Sequence, residues 1–201
     1  HAYAANGTQA VQSIAETERL HMMQARDRLT EAGITTREIS VGSTPTVLAA
    51  ESFQGISEIR PGNYVFLDRT QMRLGVARPE EVALSVAATV VSANQDFFII
   101  DAGSKTLSSD GGAHGSSGPG GFGLAFIPEE FPREGRGLVI EKLSEEHGFV
   151  RRDERELPLG TRLRILPNHA CPVANLADSY LTLSPNGETE EWLVAARGKV
   201  R

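Results

Sequence analysis

The spacing of apolar residues divides the chain into a short part with helical periodicity and a longer part with strand-like alternation. Residues 8–32 carry an imperfect apolar stripe at helical spacing, which predicts one helix with Thr8 as its N-cap. A short strand that ends at Gly42 follows, and residues 47–53 are expected to form a second helix. This order of helix, strand and helix is typical of a parallel α/β sheet or barrel whose other strands lie elsewhere.

The longer part consists of short β-branched runs with alternating polarity, separated by turns. The predicted strands are residues 64–68, 82–93, 96–103, 137–143, 147–152, 161–167 and 179–183. The stretch between Ser108 and Gly123 is too rich in Gly and Ser for regular structure and predicts a long loop. We therefore expect α/β elements in residues 1–55, a boundary near Gly55, and a mainly antiparallel β domain in residues 56–201.

The composition is that of a soluble globular protein, and it narrows the set of partners. The 201 residues are 40% hydrophobic, enough for one large domain or two small ones. The net charge of −6, without a dense basic block, argues against a nucleic-acid partner. No apolar run approaches the roughly 20 residues of a membrane-spanning helix, so no membrane partner is expected. The chain begins without Met and without the features of a signal peptide, so we expect it to belong to a longer protein.

The segment Gly42-Ser43-Thr44 follows the first predicted strand and has two interpretations. A strand that ends in these residues offers backbone N–H groups and two hydroxyls at the mouth of a βα unit, an arrangement that commonly holds a phosphate. The alternative is an ordinary turn in which Ser43 or Thr44 caps the next helix. The segment by itself favours the helix cap.

The single cysteine, Cys171, lies two residues after His169. One cysteine excludes an internal disulfide framework and suits a reducing compartment, so a cytoplasmic location is expected. In a strand, His169 and Cys171 would point the same way and suit one Zn²⁺ with open positions for water and substrate. The alternative is a buried thiol beside an ordinary histidine, which the spacing alone favours. The site does not need His21, His114 or His147, and His21 and His147 are expected to be exposed.

Further positions with reactive or polar side chains each have a structural alternative. Tyr3 would contact a cofactor at a barrel mouth or serve as a core tyrosine with a satisfied hydroxyl. A Pro-Gly turn predicts a hairpin with Tyr64 and Asp68 on one face, and a structural role is favoured there. Lys105 is a candidate for a Schiff-base lysine, but its Ser- and Gly-rich surroundings favour a solvated side chain.

Taken together and in order, four stretches of the chain resemble the carboxy-terminal half of the metal-activated pyridoxal-phosphate enzymes that include D-serine dehydratase and D-threonine aldolase. The stretches are SVGSTPT, IRPGNYVFLD, IIDAGSKTLSSD and PNHACPVANL. The resemblance covers nearly the whole chain and implies a fold-type III architecture, as in alanine racemase. Residues 1–55 would then be the last elements of a TIM-type barrel that binds pyridoxal phosphate, and residues 56–201 the antiparallel β domain with the metal site.

The resemblance also assigns residues to the site. For His169 and Cys171 it favours the metal site over the buried thiol. Residues 42–44 would hold the cofactor phosphate, and Tyr3 would line the cofactor pocket. His169 and Cys171 would hold a divalent metal beside the substrate, with zinc expected and manganese or magnesium as alternatives. Pyridoxal phosphate would act as the electron sink, and the metal would bind the carboxylate and β-hydroxyl of the substrate.

The activity that the resemblance implies is a lyase reaction on D-3-hydroxy amino acids. Dehydration of D-serine to pyruvate and ammonia is expected because Cys171 stands where aldolase members of the family more often carry Asp. D-Threonine aldolase or a related aldolase is the alternative within this class.

The chain departs from the family in one respect. The Schiff-base lysine of the family lies near the amino end of the barrel. No matching segment occurs here, so we expect no catalytic lysine in this chain and no activity from it alone. A homodimer that includes the missing barrel portion would complete each site. The alternative from another class is a non-catalytic β module that keeps His169 and Cys171 for packing.

Overall fold

The computed structural model divides the chain into two compact units. The described residues are 2–112, 120–184 and 186–199. Among these, the first unit holds the residues up to Ala83 together with Gly112, and the second holds Leu84–Gly111 and the residues from Gly120 onward. The division therefore falls after Ala83, later in the chain than the expected boundary near Gly55. The middle of the predicted Gly-rich loop, residues 113–119 with His114, lies outside the described residues.

The first unit contains the longest helix of the chain and a pair of parallel strands. Its elements are α1 (Thr8–Glu31), β1 (Ser40–Val41), α2 (Thr44–Ala49), β2 (Glu58–Ile59) and α3 (Arg69–Arg73), with 3-10 turns at Ala2–Ala4, Asn63–Val65 and Pro79–Glu81. Strands β1 and β2 pair in parallel, as the helix-strand-helix order suggested. A small apolar cluster of Ala5, Val11, Ala49 and Leu74 forms the core of this unit.

Helix α1 confirms the predicted helix nearly to the residue, but the predicted cap is wrong. The N-cap is Gly7, and the hydroxyl of Thr8 donates a hydrogen bond to the carbonyl of Gly75 at 2.9 Å instead. Only Val11 and Ala15 of the helix are buried, which explains why the apolar stripe was imperfect. Among the described residues, no helix, α1 included, is long and apolar enough to cross a membrane.

The second predicted helix begins earlier than expected. Ser43 is the N-cap of α2, and its backbone N–H donates to the hydroxyl of Thr46 at 3.1 Å. Pro45 fits the first turn of the helix, where a backbone N–H has no helical partner. Residues 50–53 are not helical, because the backbone of Ala50 is already extended.

The predicted strand at residues 64–68 is wrong, and so is the hairpin that placed Tyr64 and Asp68 on one face. The chain forms a 3-10 turn and then α3. Asp68 caps α3, because its carboxylate accepts hydrogen bonds from the backbone N–H of Gln71 at 3.0 Å and from the side-chain amide of Asn63 at 2.5 Å. Tyr64 is 55% exposed whereas Asp68 is fully buried. Local hydrogen bonds therefore outweigh the apolar pattern here.

The second unit confirms the predicted antiparallel β domain. Its elements are β3 (Val86–Ala93), β4 (Phe97–Ile100), α4 (Ser104–Leu107), β5 (Gly123–Phe126), β6 (Leu138–Leu143), β7 (Gly148–Arg151), β8 (Arg162–Pro167), α5 (Ala170–Leu176), β9 (Ser179–Leu183) and β10 (Thr189–Leu193). Six strands close into a barrel in the order β3-β4-β7-β6-β5-β8, and β9 and β10 form a separate antiparallel pair. The sequence had not predicted β5, which starts in the Gly-rich stretch, or the fully exposed β10.

The barrel interior is filled by alternating apolar side chains. Phe98, Ile100, Ile140, Val150 and Ile165 are at most 1% exposed and belong to one cluster. Register irregularities occur in the β3–β4 and β6–β7 pairs. Such irregularities bend strands and help a sheet to close. Strand β8 is one of the six strands of this barrel, and it ends at Pro167, two residues before His169.

Candidate functional site

The predicted metal ligands lie at the junction between β8 and α5, not within a strand. His169 is the N-cap residue of α5 with an extended backbone, and Cys171 lies in the first turn of that helix. The strand interpretation of this pair was therefore wrong. The two side chains nevertheless interact, because the side chain of Cys171 makes the largest contribution to the raised pKa of His169. His169 is half-buried and Cys171 is exposed, so the pair is open to solvent on the thiol side.

Asp110 contacts the same imidazole from a distant part of the sequence. Its Oδ2 lies 2.6 Å from Nδ1 of His169, across a separation of 59 residues. The interaction with Cys171, with the hydrogen bond to Asp110 in addition, raises the pKa of His169 from 6.5 to about 9 against the opposing effect of burial. Binding of a metal would have to displace that proton, because only a neutral imidazole is a ligand.

The donor set fits an open metal site better than a closed structural one. An imidazole nitrogen and a thiolate are both ligands that zinc prefers. In the part of the chain that the structure describes, no group of three or more His, Cys, Asp or Glu residues is arranged to hold a metal ion. His169 and Cys171 would therefore supply two ligands and leave the remaining positions to substrate and water. Sequence reasoning found this pair but missed the contact with Asp110.

The phosphate candidate shows features of both interpretations. Ser43 caps α2, as the structural alternative required. Gly42 has a φ of +135°, and a Cβ there would meet the backbone nitrogen of Arg60 at 2.8 Å, so a close approach of two chain segments already requires glycine. The hydroxyl of Thr44 is different, because the residue is 1% exposed and its Oγ1 makes no hydrogen bond among the described residues. That buried hydroxyl fits a role in phosphate binding, which remains a prediction.

Tyr3 lies in the 3-10 turn that precedes α1. It is half-buried and packs against the small apolar cluster of the first unit. The guanidinium of Arg73 donates to the backbone carbonyls of Tyr3 at 2.7 Å and of Ala5 at 3.2 Å. The position of Tyr3 is thus fixed from α3, and its place in a cofactor pocket remains a prediction.

Lys105 and two of the remaining histidines are solvated. The ammonium of Lys105 pairs with Glu146 at 2.6 Å and Glu145 at 3.0 Å, and these carboxylates raise its pKa. A lysine that forms a Schiff base needs the opposite shift, since only the neutral amine is nucleophilic. His21 and His147 are exposed, as expected.

Comparison with known proteins identifies the family. The sequence profile of the family described as "Putative serine dehydratase domain" matches residues 83–183. The chain belongs to this family. The family match lies almost entirely in the second unit, which carries His169, Cys171 and Asp110.

Several of the similar curated proteins are dehydratases and aldolases of D-amino acids. D-threo-3-hydroxyaspartate dehydratase of Delftia sp. (strain HT23) is 38% identical over 200 residues, which are 94% of this chain and 52% of that enzyme. D-Serine dehydratase of Dictyostelium discoideum is 28% identical over 80% of this chain and 43% of the enzyme. D-Threonine aldolase of Arthrobacter sp. is 30% identical over 85% and 42%. The chain thus spans about half the length of these relatives.

Solved structures agree with the fold. An alanine racemase-like protein from Idiomarina loihiensis has 33% identity and a TM-score of 0.87 over 96% of this chain and 52% of that one. Two variants of D-threo-3-hydroxyaspartate dehydratase, both 36% identical, have TM-scores of 0.85 and 0.84 over 96% of this chain, and the chain covers 51% and 53% of them. In one a histidine, and in the other a cysteine two positions later, is replaced by alanine, and the cysteine variant is described as metal-free. The chain therefore has an alanine racemase-like fold.

Proposed function

We propose that the chain is the carboxy-terminal part of a pyridoxal-phosphate- and metal-dependent lyase that dehydrates D-3-hydroxy amino acids. The observation that carries the proposal is the placement of His169 as the N-cap of α5 and of Cys171 in the first turn of that helix, at the end of β8. The pair has the same two-position spacing as the histidine and cysteine that were replaced in the dehydratase variants, one of which is metal-free. On this ground a metal-binding role is proposed for His169 and Cys171.

The second unit would hold the metal, and the first unit would hold part of the cofactor. His169 and Cys171 donate a nitrogen and a sulfur to one divalent cation, zinc in the first place and manganese or magnesium otherwise. The buried hydroxyl of Thr44, with the backbone of Gly42 and Ser43, binds the cofactor phosphate, and Tyr3 lines the cofactor pocket. When bound, pyridoxal phosphate withdraws electrons from the substrate Cα and the metal makes the β-hydroxyl a better leaving group.

The architecture that goes with this function is the end of a TIM-type barrel followed by a β domain. The parallel β1–β2 pair beside two helices and the alanine racemase-like neighbours favour the assignment of residues 1–55 to the barrel. The Schiff-base lysine would come from a part of the barrel outside these residues, and a second copy of the protein would complete each site. The single cysteine and the acidic net charge of the chain favour a cytoplasmic location.

D-Serine and D-threo-3-hydroxyaspartate are the two candidate substrates. D-Serine is a candidate because of the family resemblance. In that resemblance, Cys171 stands where aldolases more often have Asp, and this favours dehydration over the aldolase reaction. The higher identity of the Delftia dehydratase, 38% against 28% for the Dictyostelium enzyme, favours 3-hydroxyaspartate as the substrate. Both reactions remove a β-hydroxyl and release ammonia with a keto acid, so the proposed roles of the residues are the same.

The test is a product analysis of the full-length protein, loaded with pyridoxal phosphate and zinc and given D-serine, D-threo-3-hydroxyaspartate and D-threonine in turn. A keto acid with ammonia means dehydration, whereas glycine with an aldehyde means the aldolase alternative. We expect His169→Ala and Cys171→Ala to lose bound zinc and at least about 100-fold in ammonia release. His147→Ala is the matched control and retains both. A protein without pyridoxal absorbance or turnover would instead be a non-catalytic β module.

A further inference from the structure

One buried side chain holds the two sides of the Gly-rich segment at the end of β8. The side-chain amide of Asn168 donates hydrogen bonds to the carbonyl of Gly111 at 3.2 Å and to the carbonyl of Gly121 at 2.8 Å. Asn168 is 2% exposed, so both bonds are shielded from water. Gly121 is also fixed on its own side, because a Cβ there would lie 2.4 Å from the carbonyl oxygen of Ile140. The backbone around residue 111 therefore has a defined position relative to β8.

This arrangement places the carboxylate of Asp110 against the imidazole of His169. Asp110 directly precedes Gly111, and its own backbone N–H donates to the hydroxyl of Ser108 at 3.1 Å. His169 directly follows Asn168, so one strand end supplies both the side chain that fixes the loop and the side chain that the loop contacts. The Oδ2–Nδ1 distance of 2.6 Å is that of a strong, charge-assisted hydrogen bond.

A hydrogen bond from Nδ1 decides which nitrogen of His169 is left for a metal. A neutral imidazole carries one N–H, and a carboxylate can only accept, so Nδ1 is the protonated nitrogen and the lone pair is on Nε2. Metal-bound histidines in proteins commonly have such a carboxylate behind them, which fixes the orientation of the ring and makes it a better ligand. Each of the two side chains is 28% exposed, so the hydrogen bond is only partly screened by solvent.

We infer that Asp110 is a positioning residue for the metal site, which orients His169 so that Nε2 faces the metal, with Asn168 fixing the loop that carries Asp110. The inference rests on the metal role proposed for His169 and Cys171. In this role Asp110 would be a positioning residue and not a ligand of the metal. Its effect reaches the metal only through the ring of His169.

The test is the zinc affinity of Asp110→Asn, measured by competition with a chromophoric chelator on the full-length protein. We expect a loss of about 10- to 100-fold in affinity. The melting temperature of the metal-free protein should also fall, because the same hydrogen bond to His169 is lost there. The matched control is Asp96→Asn, the same change at an exposed carboxylate whose contact with Arg151 is 3.9 Å long, and it keeps the wild-type affinity. Asp110→Glu, which keeps the carboxylate, recovers part of the affinity.

A lower melting temperature of metal-free Asp110→Asn with unchanged zinc affinity would mean that Asp110 only stabilises the loop, and the inference would be wrong. If the wild-type protein binds no zinc, the proposed metal role fails together with the inference. If it binds zinc and Asp110→Asn binds it equally well, only the inference fails.

A measurement on the wild-type protein needs no variant. Nitrogen-15 NMR of histidine-labelled, zinc-loaded protein distinguishes the two ring nitrogens of His169. The inference predicts a protonated Nδ1 and a metal-bound Nε2, and the reverse assignment overturns it.

Discussion

The metal candidate and the cofactor candidate differ in how completely their polar groups are paired. At the metal candidate, His169 interacts with Cys171 and Asp110, and the amide of Asn168 has acceptors on both sides. In the first unit, polar atoms of several buried side chains have no hydrogen-bond partner among the described residues. These side chains are Thr44, Asn63, Gln71 and Arg73. Unpaired buried polar atoms are costly, so they mark positions where a ligand, water or another chain segment would be stabilising.

The two candidates therefore have different degrees of preorganisation. The second unit is a closed barrel with its own core, and its site is already held by side-chain hydrogen bonds. The first unit has a small core and a two-residue parallel strand pair. We therefore expect the metal site to be formed by this chain's own residues, and the cofactor site to gain most of its order from what binds there.

The largest expected effect is in the barrel core. Ile165→Ala removes a fully buried side chain and should lower the free energy of unfolding of the protein by about 2–5 kcal/mol. Leu29→Ala, on the exposed side of α1, is the control and should change it by less than about 0.5 kcal/mol. Urea denaturation followed by circular dichroism measures both. Equal effects would contradict the assignment of the main core to the barrel.

Replacing two buried side-chain amides should affect the stability of the protein differently. Asn168→Leu removes two hydrogen bonds and leaves two carbonyls unpaired, so we expect a loss of about 1–3 kcal/mol. Gln71→Met replaces an amide whose atoms make no hydrogen bond among the described residues, so the metal- and cofactor-free protein should be equally stable or gain about 1 kcal/mol. Thermal unfolding of both variants tests this. Destabilisation by Gln71→Met would show that its amide is paired after all.

Substitutions of two threonines in α2 should affect different properties, one the affinity for the cofactor and the other the stability of the protein. Thr44→Val removes a hydroxyl without a partner among the described residues, so we expect unchanged stability of the cofactor-free protein and about a tenfold weaker affinity for pyridoxal phosphate. Thr46→Val removes the hydroxyl that is bonded to Ser43, and should cost about 1 kcal/mol of stability. Cofactor titration by absorbance and thermal unfolding give the two readouts. Unchanged cofactor affinity in Thr44→Val would remove Thr44 from the site.

The smallest expected effect is the pH dependence of a surface ion pair on the barrel. The guanidinium of Arg136 holds the pKa of Glu130 below its usual value. The pair therefore stabilises the protein above the ordinary pKa of a glutamate, and this contribution is lost as the pH falls through the lowered pKa. Glu130→Gln should make the melting temperature fall slightly less between pH 6 and pH 3. A steeper fall in the variant would contradict this sign.

Long periodic segments were predictable from the sequence, and short capped ones were not. Helix α1 and strands such as β9 agree with the prediction because many residues repeat the same pattern. The turn and helix after Asn63 were missed because an apolar run hid the signal of Asp68 followed by Gln71, a spacing typical of a helix cap. In such a short segment, the capping residue determines the local structure more than the average hydropathy does.

The site was predictable only in part, because its contacts differ in sequence separation. His169 and Cys171 are two positions apart, so their types and spacing pointed to a metal even though the strand around them was wrong. The contact of Asp110 with His169 spans 59 residues and depends on how the barrel brings β5 and β8 together. No local pattern contains that information, so the carboxylate became visible only in the fold.

The most direct test of the metal assignment is X-ray absorption at the zinc edge on the zinc-loaded protein, with Cys171→Ala for comparison. We expect one sulfur at about 2.3 Å and a histidine nitrogen at about 2.0–2.1 Å from the zinc in the wild type, with the sulfur missing in the variant. A first shell without sulfur in the wild type, or an unchanged shell in Cys171→Ala, would contradict the assignment of His169 and Cys171 as the metal ligands.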